Sequence, residues 1–353
     1  EDFSAHLSDL HLTGRVEVSA LDEAMPSLQA ELRSNAFNPR TVLASLGLDD
    51  PRTTDPDALT RMEIDVSASG SPGRLEVDPV LLTLDGSSLR GDGALDLTGA
   101  RPMARLDLAG DRLDLDRYLP PEVEQARTAE APDVPGPPTD DIPIDLPAEL
   151  LRAFDLDGRL RLGVLKLFGL TLEDIDLTLR ARDGEWNVEP LTGNGYQGRL
   201  EARATVDAGA AVPGYAAAID LRSVAIGPLL QALLEEESRL IGNGDLAVDV
   251  RAEGGSVNAL TESLNGRGEM RFRDGAVRGI NVARIIRNAD ARLRGETPQD
   301  DGEPDETDFT ELSGSFQIRD GVVRNDDLAA RSPLLRVTGQ GSADLPAREM
   351  DYR

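Results

Sequence analysis

The sequence predicts a mainly β protein, with antiparallel strands that repeat along the chain and a few short helices between them. The first reason is period-two alternation, in which Leu160, Leu162 and Val164 alternate with charged or small residues. The second is a repeated phrase, apolar-x-Gly-x-Gly, which places turn residues between the alternating runs. It begins at Leu89, Leu191, Leu240, Leu264 and Val337. Strands with one apolar and one charged face are typical of an antiparallel sheet that has one side in water.

Three segments depart from this alternation, and the sequence predicts helices near 228–238, 256–264 and 281–293. Pro228 suits the first turn of the first helix, and Ser256 is placed to cap the second. The third segment has the clearest apolar face in the chain, so we expect an amphipathic helix that covers one end of the sheet. That face consists of Val282, Ile285, Ile286, Ala289 and Leu293.

Composition along the chain predicts three parts. Residues 1–119 form an N-terminal β-repeat segment, and residues 151–353 form a C-terminal β-domain that contains the three helices. Between them, residues 120–150 are rich in proline and acidic residues and have few apolar side chains, so we expect a linker or long excursion that does not fold alone.

The charge balance excludes one class of partner. The chain has 37 basic and 65 acidic residues and a formal net charge of −28. This charge repels phosphate backbones and anionic membrane surfaces alike, so we expect no nucleic-acid binding. The absence of cysteine excludes disulfides, thiol catalysis and zinc–thiolate sites. Because the chain begins at Glu1 without methionine, we expect a piece of a longer protein whose signal peptide or membrane anchor lies outside it.

The residues offer no catalytic or metal-binding constellation. His6 and His11 are five residues apart, which places them on opposite faces of one strand and argues against a shared metal. No other histidine is available for a Ser–His or His–Asp pair. Residues 193–198 match the pattern Gly-x-Gly-x-x-Gly, but alternating residues follow instead of the helix that holds a pyrophosphate. The sequence therefore predicts no enzyme, no cofactor and no metal.

Several phrases, in a fixed order over residues 85–353, resemble the AsmA family. They are Leu113-Asp114-Leu115-Asp116-Arg117-Tyr118-Leu119-Pro120-Pro121, Leu167-Phe168-Gly169-Leu170-Thr171-Leu172, Glu189-Pro190-Leu191 with Tyr196-Gln197-Gly198, Gly227-Pro228-Leu229-Leu230, Leu264-Asn265-Gly266, Asp274-Gly275-Ala276-Val277-Arg278-Gly279-Ile280-Asn281, Asp308-Phe309-Thr310-Glu311-Leu312 and Asp344-Leu345. One departure is Gln197, where the family often has a second glycine.

The resemblance implies an elongated, curved, groove-like β-sheet, similar to that of the TamB and YhdP types of bridge-like lipid-transfer protein. It implies a periplasmic protein of a Gram-negative envelope, tethered to the inner membrane by an N-terminal helix that this chain lacks. Its implied function is phospholipid transfer between the inner and outer membranes, contributing to outer-membrane lipid homeostasis and assembly. A non-enzymatic scaffold that binds an envelope protein partner along its sheet edge remains an alternative.

Strand parity within this reading selects the residues that would line an apolar groove. They are Leu160, Leu162, Val164, Leu177, Leu179, Leu200, Ala202, Val206, Ile219, Leu221, Leu246, Val248, Val250 and Phe272. Residues 264–294 are locally basic, which indicates either charge balance inside an acidic fold or contact of Arg284 and Arg287 with an anionic lipid headgroup.

Overall fold

The computed structural model describes residues 1–19, 26–119, 121, 141–144, 148–279, 281–294, 304–332 and 336–353. These residues divide into two compact units. Unit 1 holds the described residues within 1–130, 145–194 and 202–215, and unit 2 holds those within 131–144, 195–201 and 216–353.

The prediction of a mainly β, antiparallel protein with a few short helices is confirmed. The described strands are β1 Asp2–Leu7, β2 Leu10–Ser19, β3 Ser27–Ser34, β4 Met62–Ser71, β5 Arg74–Leu84, β6 Ser87–Asp96, β7 Met103–Asp114, β8 Asp155–Leu167, β9 Leu170–Arg182, β10 Glu185–Gly195, β11 Gly198–Asp207, β12 Gly214–Ala225, β13 Leu240–Glu253, β14 Asn265–Arg278, β15 Glu306–Arg319, β16 Val322–Arg331, β17 Arg336–Asp344 and β18 Glu349–Tyr352.

In unit 1, strands that follow one another from β1 to β10 pair antiparallel, with the exception of β7 and β8. These two are parallel, with Met103 opposite Asp155 and Asp114 opposite Lys166. A parallel pair requires a connection that returns the chain to the end where the first strand began. That connection contains the linker predicted over 120–150, most of which (120, 122–140 and 145–147) lies outside the described residues.

In unit 2, β13 to β18 form an antiparallel meander in which each strand pairs with the next. Strands β11 and β12 contain residues of both units. The described α-helices are α1 Pro39–Ser45, α2 Ala148–Ala153, α3 Ile226–Leu234, α4 Val257–Ser263 and α5 Val282–Leu293.

Helices α4 and α5 lie where the sequence places them, whereas α3 ends at Leu234 instead of 238, because Glu235 adopts a left-handed backbone conformation. Helix α3 begins at Ile226, so Pro228 lies in its first turn. Proline is tolerated there because the N–H groups of a first turn have no partner inside the helix. The side chain of Ser256 accepts a hydrogen bond from the Ala259 amide and caps α4. Asn281 caps α5 through the Arg284 amide in the same way.

Left-handed residues interrupt the alternation of several strands. In β9, Asp174 has φ 52°, and it lies between Glu173, opposite Val164, and Ile175, opposite Leu162. The register between β8 and β9 is the same on both sides of Asp174, so neither strand has an extra residue, but the left-handed backbone reverses which face the following side chains occupy. Ser223 in β12 (φ 55°) and Asp274 in β14 (φ 48°) have the same conformation.

The phrase after β7 holds three other segments in place. The Asp116 carboxylate accepts the backbone N–H groups of Phe168 and Gly169 at the β8–β9 turn. The guanidinium of Arg117 contacts Asp55 at 2.6 Å, and the hydroxyl of Tyr118 donates to Asp85 at 3.0 Å. This part of the family-like sequence is therefore explained by structure, because each polar side chain satisfies a group on another loop.

Buried side chains are confined to small clusters. In unit 1, Leu162, Leu165, Leu172 and Ile175 are buried near the left-handed Asp174 of β9. In unit 2, the buried residues Leu221, Val224, Ile226 and Leu229 lie at the junction of β12 and α3, and α3 packs on β13. Among the described residues, none of the large side chains is fully buried. Most of the apolar sheet face is thus only half covered.

Candidate functional site: an apolar sheet face

Cross-strand register in unit 1 aligns apolar or glycine positions from β1 to β10. The row consists of Phe3, Gly14, Leu32, Val66, Val80, Gly91, Leu108, Leu160, Leu177 and Leu191, each directly opposite the next. Because neighbouring strands lie about 4.8 Å apart, such a row extends for roughly 40 Å. Phe3 is exposed, and the other members are half-buried. Among the described residues, the row forms a continuous apolar strip that no second layer covers fully.

Unit 2 has two shorter rows of the same kind. One consists of Gly244, Phe272, Leu312, Ala330 and Val337. The other consists of Val250, Gly266, Ile318, Val323, Ala343 and Met350. Phe272 and Ile318 are the buried large side chains of the two rows, most other members are half-buried, and Val337 and Met350 at the ends are exposed. Each unit therefore carries its own apolar face.

Glycine makes close ring packing possible on these faces. Four of the seven phenylalanines lie directly opposite a glycine, in the pairs Phe3–Gly14, Phe272–Gly244, Phe316–Gly268 and Phe309–Gly275. A Cβ atom on Gly275 would lie 2.5 Å from Cζ of Phe309, and one on Gly244 would lie 2.6 Å from Cε1 of Phe272. The repeated glycines thus have a packing role: they leave room for aromatic rings of the neighbouring strand.

The opposite face of the sheet carries arginine–aspartate pairs between strands. In unit 1, Arg159 contacts Asp176 and Arg161 contacts Asp107, both at 2.5 Å. The hydrogen bond and charge of Arg159 lower the pKa of the Asp176 carboxyl. In unit 2, Arg273 contacts Asp245 at 3.1 Å. Exposed pairs of this kind add little stability, but they keep this face hydrophilic and distinct from the apolar one.

The structure places the predicted lining residues as follows. Leu160, Leu177, Leu179, Leu200, Ala202, Val206, Leu246, Val248 and Val250 are half-buried. Leu162, Leu221 and Phe272 are buried, and Ile219 is exposed. Leu160 and Leu177 face each other in the row of unit 1. Leu246, Val248 and Val250 share one strand of unit 2.

Val164 has different surroundings from the other predicted lining residues of β8. Its cross-strand neighbours are Arg112 and Glu173, which places it among charged side chains. The next residue, Leu165, is buried opposite Leu172 instead. The reason is the left-handed Asp174, because it interrupts the alternation of β9 at the level where β8 passes from Leu162 to Val164.

Sequence reasoning missed the contribution of residues 1–84 to the apolar row. Leu32, Val66 and Val80 belong to it, and Ile175 faces Leu162 beside it. The signal for Val66 was present, since Ile64, Val66 and Ala68 alternate as the C-terminal strands do. Their alignment with Leu160 depends on the register between paired strands, which alternation within a single strand does not reveal.

The two proposed headgroup residues have different positions. Arg284 is half-buried, and its Nη2 contacts Asp305 at 2.6 Å, so it balances charge within unit 2. Arg287 is exposed on the same helix. The expectation that the apolar face of α5 covers the sheet is wrong, because Ile285, Ile286 and Leu293 are exposed.

The histidines also differ from the expectation. They do not lie on opposite faces of one strand: His6 is in β1, His11 is in β2, and they are direct cross-strand partners. Their rings stack with centroids 3.9 Å apart. A tight turn between Leu7 and Leu10 brings them together, and no such turn was inferred from the sequence. In the described part of the chain, no group of three or more His, Cys, Asp or Glu residues could hold a metal ion.

The Gly-x-Gly-x-x-Gly match at 193–198 ends β10 and begins β11, with the turn at Tyr196 and Gln197. A strand follows it, as the sequence predicted, so the helix N-terminus of a dinucleotide site is not formed there. Within the described residues, no helix has the length and apolar character needed to cross a bilayer.

Repetitive antiparallel strands with one half-covered apolar face and one arginine–aspartate face define a class of two-faced β-sheet protein. Within that class, the AsmA family model matches residues 44–328. The chain belongs to the AsmA family. This match begins earlier than the resemblance at residue 85 and includes Val66 and Val80 of the apolar row.

A curated relative agrees with this membership. The chain is 25% identical over 285 residues to Protein AsmA of Escherichia coli (strain K12), a match that covers 79% of this chain and 46% of the relative. The chain thus spans about half the length of that relative. No solved structure matches the chain. AsmA-family proteins are proteins of the Gram-negative envelope.

Proposed function

We propose that the chain binds phospholipid acyl chains on its apolar sheet faces, as part of a periplasmic protein that transfers phospholipid between the inner and outer membranes. The observation that carries the proposal is the row of unit 1, in which eight apolar side chains and two glycines from ten strands adjoin, and in which all members but the exposed Phe3 are half-buried. We also propose that the chain has no enzymatic activity, binds no nucleic acid and is tethered to the inner membrane through a segment outside it.

The energetics support a ligand of this kind. Each methylene removed from water contributes about 0.8 kcal/mol, so a sixteen-carbon tail in the aqueous periplasm costs on the order of 12 kcal/mol. Half-exposed leucines and valines provide the surface that reduces this cost, and they would in turn be covered by the tail. Because the apolar strip runs across the strands, the acyl tail can move from one strand to the next without crossing a charged position.

Native mass spectrometry of the chain, purified from a Gram-negative host, tests the proposal. We expect bound phospholipid on the wild-type chain and its loss in Leu177→Glu, because the carboxylate lies in the row between Leu160 and Leu191. The matched control is Thr178→Glu, the neighbouring position on the same strand, which lies opposite Arg159 on the charged face. Circular dichroism checks that both variants keep their strands.

A wild-type chain that carries no phospholipid after purification and after incubation with lipid micelles contradicts the proposal. Equal lipid retention in Leu177→Glu and Thr178→Glu also contradicts it, because the lipid is then not held by this face. If the chain is bare but recovers a specific envelope protein, the scaffold function replaces lipid transfer.

A further inference from the structure

Helix α5 is attached to unit 2 mainly through its first turn. The buried Asn281 accepts a hydrogen bond from the Arg284 amide (2.7 Å), and its Nδ2 donates to the Pro304 carbonyl (2.9 Å). The Val282 amide donates to the hydroxyl of Thr307 at the start of β15 (3.0 Å). These contacts fix where the helix begins and in which direction it leaves the strand.

The helix is oriented with its apolar side outward. Arg284, Asn288 and Ala291 are half-buried, and their spacing of four and three residues places them on one face. The exposed fractions of Ile285, Ile286 and Leu293 are 59%, 52% and 88%. A surface helix normally turns its apolar stripe toward the core, so the stripe of α5 is available to something other than unit 2.

The charge of α5 differs from that of the chain. Residues 282–294 contain four arginines and one aspartate, whereas the whole chain has a net charge of −28. Arg292 and Arg294 are exposed on the two flanks of the apolar stripe. Arg294 also contacts Asp290 at 2.6 Å, and the exposed Arg287 lies on the far side of the helix. An apolar stripe flanked by arginines is the pattern of helices that lie in the interface of a bilayer, with aliphatic side chains among the acyl chains and guanidinium groups at the phosphates.

We propose that α5 inserts its outward face, formed by Ile285, Ile286, Ala289 and Leu293, into the surface of a phospholipid bilayer. This inference rests on the lipid-binding function proposed above and deepens it, since it names where the chain meets the membrane that supplies or receives the lipid. The arginines favour a bilayer that contains anionic phospholipid. The apolar sheet face binds the acyl chain of the lipid, and α5 keeps the protein at the surface of the bilayer.

Vesicle sedimentation with the full chain tests this inference. We expect binding to vesicles of phosphatidylethanolamine and phosphatidylglycerol, and weaker binding to pure phosphatidylcholine. The double variant Ile285→Ser/Ile286→Ser should bind at least about tenfold more weakly, because both side chains lose the apolar area that enters the interface. The matched control is Leu234→Ser, an equally exposed leucine (61%) on α3 of the same unit, which should bind like wild type.

A second readout distinguishes this inference from the proposed function. The double variant should still retain phospholipid in native mass spectrometry, because the sheet rows are unchanged. The variant Leu293→Trp adds a second tryptophan to Trp186, the single tryptophan of the wild type. Subtracting the wild-type spectrum isolates the emission of the new tryptophan, and we expect this emission to shift to the blue when vesicles are added. Wild-type chain that binds neither vesicle, or a double variant that binds as wild type does, overturns the inference.

Discussion

Alanine at Gly244 should destabilise unit 2 only while Phe272 is present. The two residues are direct cross-strand partners on β13 and β14, and the Phe272 side chain is only 7% exposed. A Cβ atom at Gly244 would lie 2.6 Å from Cε1 of this ring, whereas the nearest backbone atom, the Arg271 carbonyl oxygen, would be 3.2 Å away. The ring is therefore the main obstacle, and removing it should remove most of the cost.

The expected magnitudes follow from this geometry. Phe272→Ala should lower the free energy of unfolding by about 3 kcal/mol, at the low end for a buried phenylalanine because the sheet face is only half covered. Gly244→Ala should cost about 1–3 kcal/mol, as added volume does in a packed region. In the Phe272→Ala background the same substitution should cost close to zero, so the double-mutant cycle should give a coupling of about 1–3 kcal/mol.

Urea unfolding followed by far-ultraviolet circular dichroism, with hydrogen exchange of the β13 and β14 amides, measures these values. The fluorescence of Trp186 is unsuitable, since this residue lies in unit 1. Gly255→Ala is the control, because a Cβ atom there meets nothing within 4 Å, and it should be nearly neutral. If Gly244→Ala costs the same with and without Phe272, the ring does not explain the glycine.

Two further predictions concern the segment after β7. Asp116→Ala should destabilise unit 1 by about 1–3 kcal/mol and speed amide exchange at Phe168 and Gly169, because their N–H groups lose a charged acceptor. Asp116→Asn should restore part of the lost stability. Unchanged amide exchange in Asp116→Ala would show that the carboxylate does not hold the turn. Burial and the hydrogen bond to Asp85 raise the pKa of Tyr118 to about 12, so its stabilising contribution is complete below about pH 10 and is lost as the pH rises toward 12. Ultraviolet titration should lose one tyrosinate transition near pH 12 in Tyr118→Phe; a titration that is the same in both proteins would contradict this environment.

Several features of the fold could be predicted because they depend on local pattern. Alternation gave the two-faced strands, and the capping residues Ser256 and Asn281 gave the starts of α4 and α5 within one residue. The parity of Val164 could not be predicted in this way, since one left-handed residue on the partner strand, Asp174, shifts the alternation. The pairing of His6 with His11 likewise depends on a turn of two residues.

For the candidate site too, some features could be predicted from local pattern and others could not. Leu160 and Leu177 could be assigned to an apolar face from alternation alone, but their alignment with Leu32 and Val66 depends on the register of strands distant in sequence. The apolar stripe of α5 was also evident from its spacing. Its outward direction was not, since the Asn281 cap and the contact of Arg284 with Asp305 orient the helix.

Local sequence was sufficient to predict strands with one apolar and one charged face, because side chains alternate with a period of two along any strand. It also carried the ordered phrases of the AsmA family. Contacts between distant segments establish which apolar residues adjoin, which glycine accommodates which ring and which way α5 faces. The reason is that register, bulges and helix orientation depend on contacts between segments far apart in the chain, which no local pattern encodes.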